Sequence, residues 1–304
     1  MPSCKGVVFG VLGLLITQVW AAGPTEQVFF DDFSYRSSTE LAHGGWKARS
    51  KNGHPGVEGA AWREDALSVV EDPKQSGNTL LRLTAKSNGA GAGTVQAQLC
   101  HERKYLEGTY AARVRFSDAP TLGVDGDPII QTFYAVSPLK HDFDPQFSEI
   151  DWEYLPNGGW GSDKTRLYGI TWQTVRLEPW QSFNQSHEEF RHFDGWHVLM
   201  MQVANGKVRW FVDGEPTDEH GGRNYPVVPM SINFSLWFAP VGLLPANHGE
   251  RVYEQDVDWV YHVRGAVQTF SEVNAAVQAL RDQQVTRVDK VPAMQPALAS
   301  TCDF

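Results

Sequence analysis

Short runs in which apolar and polar residues alternate follow one another along most of the chain, and each run is bounded by Gly, Asn, Asp or Pro. Successive side chains of a β-strand point to opposite faces, so a two-residue period is typical of a half-buried strand. The pattern predicts strands over residues 27–30, 79–84, 110–116, 165–172, 196–204, 208–212, 231–238 and 255–263. It therefore predicts an all-β protein.

Two local signals add detail to the strand pattern. Asn205-Gly206 lies between two predicted strands and favours a two-residue hairpin with a type I′ turn. A helical period begins only near the end, where Ser271 is predicted to cap a helix. One face of that helix would carry Val273, Ala276, Val277 and Leu280. Residues 285–304, with two prolines, have the composition of a tail.

The N-terminus has the features of a signal peptide. Lys5 precedes an apolar run over residues 6–20, and Ala21 and Ala22 fit a small-residue cleavage site. We expect residues 1–22 to be removed and the protein to be secreted, either outside the cell or into a periplasm. A membrane anchor is the alternative, but the run is short for a span and no charged stop-transfer segment follows. Residues 23–266 would form one domain, and residues 267–304 a C-terminal helix and tail.

The net charge of the chain limits the classes of molecule that it is expected to bind. The formal net charge is −10, and loss of the leader removes one Lys and no acid. Nucleic acid is therefore excluded as a natural partner, whereas a neutral polysaccharide is compatible. No membrane association is expected after cleavage, and we expect a monomer.

The cysteines and histidines indicate little about function from the sequence alone. Cys4 lies in the leader, so the mature chain keeps Cys100 and Cys302. In an exported protein they form either one disulfide or two free thiols. Neither the cysteines nor the histidines show the sequence spacing of a zinc site.

The most informative segment is EIDWEY at residues 149–154. On a strand, Glu149, Asp151 and Glu153 share one face, and the large apolar residues between them share the other. Like charges at this spacing repel one another, so three acids on one strand face do not favour stability. A catalytic role explains them better. A polar strand face in water is the alternative. Retaining glycosidases use two carboxyls about 5–5.5 Å apart, one as nucleophile and one as acid/base. Asp151 is expected to raise the proton affinity of the neighbour it contacts and to help keep Glu153 protonated.

Aromatic residues supply candidate sugar platforms. Trp160 and Trp180 lie in loop-like sequence, whereas Trp172 and Trp237 lie on strands expected to flank the acidic one. Core packing is the alternative for each of the four, and it is the expectation for Trp196, Trp210 and Trp259. Gln98, in an alternating segment, is a candidate to bond a sugar hydroxyl, with a solvated strand face as the alternative.

These residues resemble glycoside hydrolase family 16, which includes laminarinases, lichenases and xyloglucan transferases. The acidic motif matches the form without an extra bulge residue. Further segments match in order: KYLEGTY at 104–110, FDGWH at 193–197, GKVRWFVDG at 206–214, SLW at 235–237 and DWV at 258–260. The resemblance covers about residues 28–264. The sequence departs from the family after Glu153, and residues 173–191 form a longer connection that suggests an extra cleft wall.

The resemblance implies a jelly-roll sandwich of two curved antiparallel sheets, with the acidic strand on the concave face. It implies Glu149 as nucleophile and Glu153 as acid/base, with Asp151 assisting between them. No cofactor would be required, but many relatives hold a structural calcium ion, and Asp258 matches its acidic ligand.

The favoured function is a secreted, retaining endo-β-glucan hydrolase that cuts β-1,3, β-1,4 or mixed linkages. A transglycosylase on a β-glucan-type polysaccharide would use the same residues. A non-catalytic, carbohydrate-binding lectin is the alternative from another class.

Overall fold

The computed structural model describes Met1 and residues 27–302, so the predicted signal peptide lies outside the described residues. The described residues form two α-helices, α1 (Ser38–His43) and α2 (Phe270–Asp282). Their strands are β1 (Val28–Asp31), β2 (Lys47–Ala48), β3 (Ala61–Trp62), β4 (Leu67–Glu71), β5 (Thr79–Ser87), β6 (Val95–Cys100), β7 (Gly108–Phe116), β8 (Ile129–Val136), β9 (Glu149–Leu155), β10 (Arg166–Arg176), β11 (Gln181–Glu189), β12 (Gly195–Ala204), β13 (Lys207–Val212), β14 (Glu215–Gly221), β15 (Ser231–Phe238), β16 (Arg251–Arg264) and β17 (Arg287–Asp289).

The strands fold into two layers that are joined at β6. The first layer, here called the cleft sheet, has the order β2-β6-β15-β8-β9-β10-β11. The second, the outer sheet, runs β14-β13-β12-β7-β16, and β16 continues to β5 and β1. Val95 of β6 pairs with Lys86 of β5, so the layers form one nearly closed sheet. Apart from the short parallel pair of β3 with β6, the pairing is antiparallel, and the predicted all-β jelly roll is confirmed.

The main core lies between the two layers. Ile150, Trp152 and Tyr154, the apolar members of the acidic strand, are fully buried there. Trp152 packs edge-on against Trp210 of β13, with ring centroids 5.0 Å apart. Burial of this face, at about 25 cal/mol per Å² of apolar surface, fixes the orientation of β9. The three acids must therefore point to the opposite face.

Each predicted strand overlaps an observed strand, and the hairpin is confirmed. Asn205 and Gly206 both have positive φ, 55° and 72°, as a type I′ turn between β12 and β13 requires. Among the strands of at least seven residues, the pattern missed β8, β11 and β14. Strand β8 is buried on both faces and therefore shows no alternation. Strands β11 and β14 carry mainly exposed polar residues, because they lie towards the edges of their sheets and lack the apolar half of the alternation.

The C-terminal helix begins two residues earlier than predicted. Thr269, not Ser271, is the N-cap, and Thr269 and Glu272 form a capping box. Val273 and Val277 are buried against the outer sheet, beside Trp259. Among the described residues, no helix is long and apolar enough to cross a membrane.

Two predictions about packing need correction. Trp210 and Trp259 are core residues, but Trp196 is only half-buried and stacks on the guanidinium group of Arg113, 4.3 Å from the ring centroid. The C-terminal segment is more than a tail, because β17 pairs with β1. The same segment is held by a disulfide between Cys302 and Cys100, with Cα atoms 5.5 Å apart.

Candidate active site

Glu149, Asp151 and Glu153 lie on the face of β9 that is turned towards the cleft, near the middle of the cleft sheet. Asp151 pairs with Tyr134 of β8 on one side and Ile170 of β10 on the other. The three acids form the floor of a cleft of about 720 Å³. Strand β9 therefore presents its three carboxyls on one face, as the sequence periodicity predicts. The cleft that they face is large enough for several sugar rings.

Burial changes the proton affinity of all three acids. It raises the pKa of Glu149 to about 8, to which the neighbouring charge of Glu153 adds. It also raises the pKa of Glu153 to about 7, and that of Asp151 well above its usual range. Three adjacent carboxylates cannot all be ionised at low cost in such a site. At neutral pH the cluster therefore retains protons, and a protonated acid can lie beside an ionised nucleophile.

Asp151 is held between an indole and a carboxyl group. Trp172 Nε1 donates a hydrogen bond to Asp151 Oδ2 at 2.5 Å. The neighbouring carboxyls of Asp151 and Glu149 also affect one another, and their interaction lowers the pKa of Glu149 and raises that of Asp151. Two adjacent carboxyls attract one another only when one of them holds a proton, so the pair shares its protons. The effect of Asp151 on Glu149 is a lower pKa, whereas the sequence predicts a higher proton affinity for the neighbour that Asp151 contacts.

Glu153 lies on the same face and is free to act on a ligand. Its Oε2 atom is buried and has no hydrogen-bond partner among the described residues. Buried polar atoms are nearly always paired in folded proteins, so an unpaired carboxyl oxygen in a cleft favours a ligand partner. This is the arrangement expected of a proton donor to a bound substrate.

The four candidate tryptophans all line the cleft. Trp172 and Trp180 form one pair, with ring centroids 6.1 Å apart, beside Glu149. Trp160 and Trp237 form a second pair, 6.5 Å apart. Because Trp160 also packs against Tyr168, the strand neighbour of Glu153, the second pair lies at the other end of the acidic line.

Two of the four indoles are exposed enough for ring stacking, whereas Trp237 is largely buried in a hydrophobic cluster. Trp160 and Trp180 are 49% and 54% exposed, so their faces are available to a sugar. Trp180 lies in the turn between β10 and β11, inside the long connection predicted to add a cleft wall. The structure places that connection as a hairpin beside the cleft.

Gln98 does not line the cleft. Its side chain is buried, with Oε1 accepting from Arg49 Nη1 at 3.1 Å and Nε2 donating to the hydroxyl of Tyr134 at 2.8 Å. The predicted bond from Gln98 to a sugar therefore does not fit its position. Gln98 orients Tyr134, whose ring does line the cleft.

The surroundings of Asp258 do not fit a calcium ion. Its carboxyl oxygens accept hydrogen bonds from Arg113 Nη1 and Arg281 Nη2, both at 2.7 Å, and from Asn78 Nδ2 at 2.9 Å. Calcium needs six to eight oxygen ligands, whereas these partners are donors, two of them cationic. Asp258 instead anchors α2 to the outer sheet through Arg281.

Polar residues from neighbouring strands also line the cleft, and sequence analysis missed them. They are Thr132 and Tyr134 of β8, Tyr168 of β10, Ser182, Asn184 and Ser186 of β11, and Ser235 of β15. The polar residues within β8 and within β11 lie two positions apart, as residues on one face of a strand do. This spacing alone could not identify a cleft lining, because any half-exposed strand shows it and the order of the strands in the sheet was not known.

A jelly roll with a buried carboxyl cluster on the floor of an aromatic-lined cleft is the architecture of a glycoside hydrolase acting on O-glycosyl bonds. The family model for glycosyl hydrolases family 16 matches residues 59–261, about two thirds of the sequence. The chain belongs to this family.

Solved structures show the same fold. The β-glucanase of Bacillus licheniformis is 17% identical, with a TM-score of 0.55 over 79% of this chain and 100% of that one. A family 16 endo-glucanase of Bacteroides ovatus is 14% identical, with a TM-score of 0.57 over 76% and 98%. The kappa-carrageenase of Pseudoalteromonas carrageenovora is 17% identical, with a TM-score of 0.52 over 81% and 98%. Among curated protein sequences, none matches this chain significantly.

Proposed function

We propose that this glycoside hydrolase is a secreted, retaining endo-β-glucanase. The observation that carries the proposal is the line of Glu149, Asp151 and Glu153 on the floor of the cleft, with Glu153 Oε2 buried and without a hydrogen-bond partner among the described residues. Glu149 attacks the anomeric carbon while Glu153 protonates the leaving glycosidic oxygen. Glu153 then removes a proton from water, which releases the sugar from Glu149 with its configuration retained.

Asp151 supports the nucleophile in this scheme. In this scheme a proton on Asp151 is shared with the Glu149 carboxyl and stabilises the ionised form that attacks, which agrees with the lower pKa that Asp151 gives to Glu149. Glu149 loses its negative charge when it forms the ester with the sugar, and the proton affinity of Asp151 then changes. A carboxyl whose proton affinity changes between the two steps can assist both steps of a double displacement.

The cleft lining favours a neutral polysaccharide. Of the described residues that line the cleft, none is Lys or Arg, and burial lowers the pKa of His54 at the rim, with the nearby Arg49 adding to the effect. A sulfated galactan, the class of substrate named for the carrageenase above, would call for cationic partners. Flat tryptophan faces instead suit glucosyl rings, and the glucanases among the structural neighbours share the fold.

The tryptophan pairs favour cleavage within a chain. One pair lies beside Glu149 and the other beside the neighbour of Glu153. Sugar units on both sides of the scissile bond would therefore find a platform, which is the requirement for endo-action.

Secretion and a monomeric state complete the proposal. A disulfide is stable in oxidising compartments and rare in the cytosol, so the Cys100–Cys302 bond supports export. Mass spectrometry of the protein recovered from the medium or periplasm would show an N-terminus near residue 23.

The decisive experiment is an activity panel of laminarin, lichenan, cellulose derivatives, xyloglucan and kappa-carrageenan, with Glu149→Ala as the inactive control. We expect new reducing ends, a rapid fall in viscosity and β-anomeric first products on at least one β-glucan. Altered product lengths without new reducing ends would identify a transglycosylase. Binding without turnover would identify a lectin, and cleavage of carrageenan alone would contradict the neutral substrate.

A further inference from the structure

Two histidines and an aspartate meet behind the cleft wall. His187 lies on β11 of the cleft sheet, whereas Asp218 and His220 lie on β14 of the outer sheet. Each offers one ligand atom, and these atoms all lie within 4.8 Å of one another. His187 Nδ1 is 3.5 Å from Asp218 Oδ2, and His220 Nε2 is 3.3 Å from the same oxygen. The residues have no metal-like spacing in sequence, because the sheet arrangement alone brings them together.

Each imidazole is oriented by a threonine on its other nitrogen. His220 Nδ1 lies 2.9 Å from Thr171 Oγ1, and His187 Nε2 lies 3.0 Å from Thr217 Oγ1. Metal-binding histidines are typically held in this way, by a hydrogen bond to the ring nitrogen that does not bind the metal. His187 Nδ1, which points to the cluster, is buried without a hydrogen-bond partner among the described residues.

Neighbouring residues hold the ring of His187 in place. Gly169 of β10 is paired with His187, and a Cβ atom at Gly169 would lie 2.1 Å from the imidazole Cε1. Glycine at this position therefore makes room for the ring. The core residues Trp152 and Trp210 pack against it, with centroids 5.8 and 6.0 Å away. Asp218 is 37% exposed at its side chain, so the cluster has an entry path from solvent.

We propose that His187, Asp218 and His220 form a binding site for a divalent transition metal of the zinc class. At metal–ligand distances of about 2.1 Å, ligands of a tetrahedral ion are about 3.4 Å apart, close to the two N–O separations above. Two imidazoles and one carboxylate suit zinc and its neighbours rather than calcium, which prefers oxygen. Water would occupy the fourth position.

The site would act as a clip between the two sheets. It joins β11, an edge strand of the cleft sheet, to β14 of the outer sheet. Strand β11 forms one arm of the hairpin whose turn carries Trp180. A bound ion would therefore hold the cleft wall from behind, and this role does not depend on which polysaccharide is cleaved.

The test is a zinc titration of the mature, EDTA-treated protein by calorimetry, together with thermal unfolding and the visible spectrum of the cobalt form. We expect one zinc ion per chain, a cobalt spectrum typical of tetrahedral coordination, and no comparable calcium binding. At zinc concentrations 100 times the Kd, Tm should rise by about 5 °C or more.

Variants distinguish this site from adventitious binding. His187→Gln and Asp218→Asn should each weaken zinc affinity at least 10-fold, as loss of a ligand requires. His197→Gln is the matched control, because His197 Nδ1 lies 2.7 Å from Asp213 in a His–Asp pair outside the cluster, and it should bind zinc normally. Asp218→Asn, at a partly exposed residue, provides the test if His187→Gln does not fold. Substoichiometric zinc, or equal affinity in Asp218→Asn and wild type, would overturn the proposal.

Discussion

Trp172 donates the hydrogen bond from its indole nitrogen to Asp151 at 2.5 Å while its ring lines the cleft. The indole therefore has two roles, as a surface for sugar and as a partner of the catalytic carboxyl cluster. Its bond lowers the pKa of Asp151, against the larger increase caused by burial. The strand pair β9–β10 sets this contact, because Trp172 pairs with Glu149, two residues before Asp151.

Replacing each indole by a phenyl ring separates these two roles. Trp172→Phe keeps an aromatic face but removes the donor to Asp151, so we expect kcat to fall about 10-fold, the effect of losing one hydrogen bond. Trp180→Phe, in the same wall, should raise KM and leave kcat within about twofold. Steady-state kinetics on a soluble β-glucan measures both. Equal effects of the two changes on kcat would remove the special role of the Trp172 indole.

The nucleophile is tested by chemical rescue. Glu149→Ala should reduce turnover by at least about 10³-fold, and added azide should restore it by attacking from the vacated side. The product would be a glycosyl azide of inverted configuration, identified by NMR. Glu153→Ala should give an azide product of retained configuration. Substantial activity of Glu149→Ala without azide would assign the nucleophile to another residue.

Asp151→Asn tests the shared proton. The amide can still donate to Glu149 and accept from Trp172, but it cannot release or regain a proton between the two steps. We expect kcat to fall about 10²-fold, within the usual contribution of acid/base groups. Because a permanent donor at position 151 favours ionised Glu149, the acidic limb of the pH–rate profile should move to lower pH. An unchanged profile with nearly full kcat would show that Asp151 is only a strand residue.

Burial of the acids should make stability depend on pH. Unfolded Glu153 titrates near 4.5, and burial raises the pKa to about 7 in the folded protein. Between these values the folded state binds more protons, so its stability falls as pH rises through this window. Glu153→Gln should therefore gain about 1–3 kcal/mol relative to wild type from pH 5 to pH 8, measured by urea unfolding.

The control for this pH effect is Glu215→Gln, at an exposed acid on β14. It should show no such gain over the same range. A constant difference between Glu153→Gln and wild type at every pH would mean that burial of Glu153 is not the cause.

The disulfide should contribute strongly to stability. It closes a loop with a sequence separation of 202 residues, for which chain entropy gives about 5 kcal/mol as an upper value. Cys302→Ser should lower the free energy of unfolding by several kcal/mol, and wild type with reductant should match it. Thiol titration of the denatured, unreduced mature protein should find no free thiol. Two titratable thiols would refute the bond.

Local pattern determined much of this protein without the structure. The two-residue period identified most of the longer strands that have one apolar and one polar face, and Asn205-Gly206 identified its hairpin. The line of Glu149, Asp151 and Glu153 on one face followed from the same period, because burial of Trp152 leaves the acids no other side. These features depend on neighbours within the chain, so the sequence contains them.

Only the tertiary structure decided which residues meet across strands. It placed the Gln98 side chain against the hydroxyl of Tyr134, surrounded Asp258 with two arginines, and brought the indole nitrogen of Trp172 to Asp151. It also brought His187 to Asp218 and His220 from separate sheets. Such contacts depend on sheet order, register and side-chain rotamer. Because a half-exposed polar position has the same alternation whether it faces water, a sugar or an arginine, only the neighbouring strands decide its role.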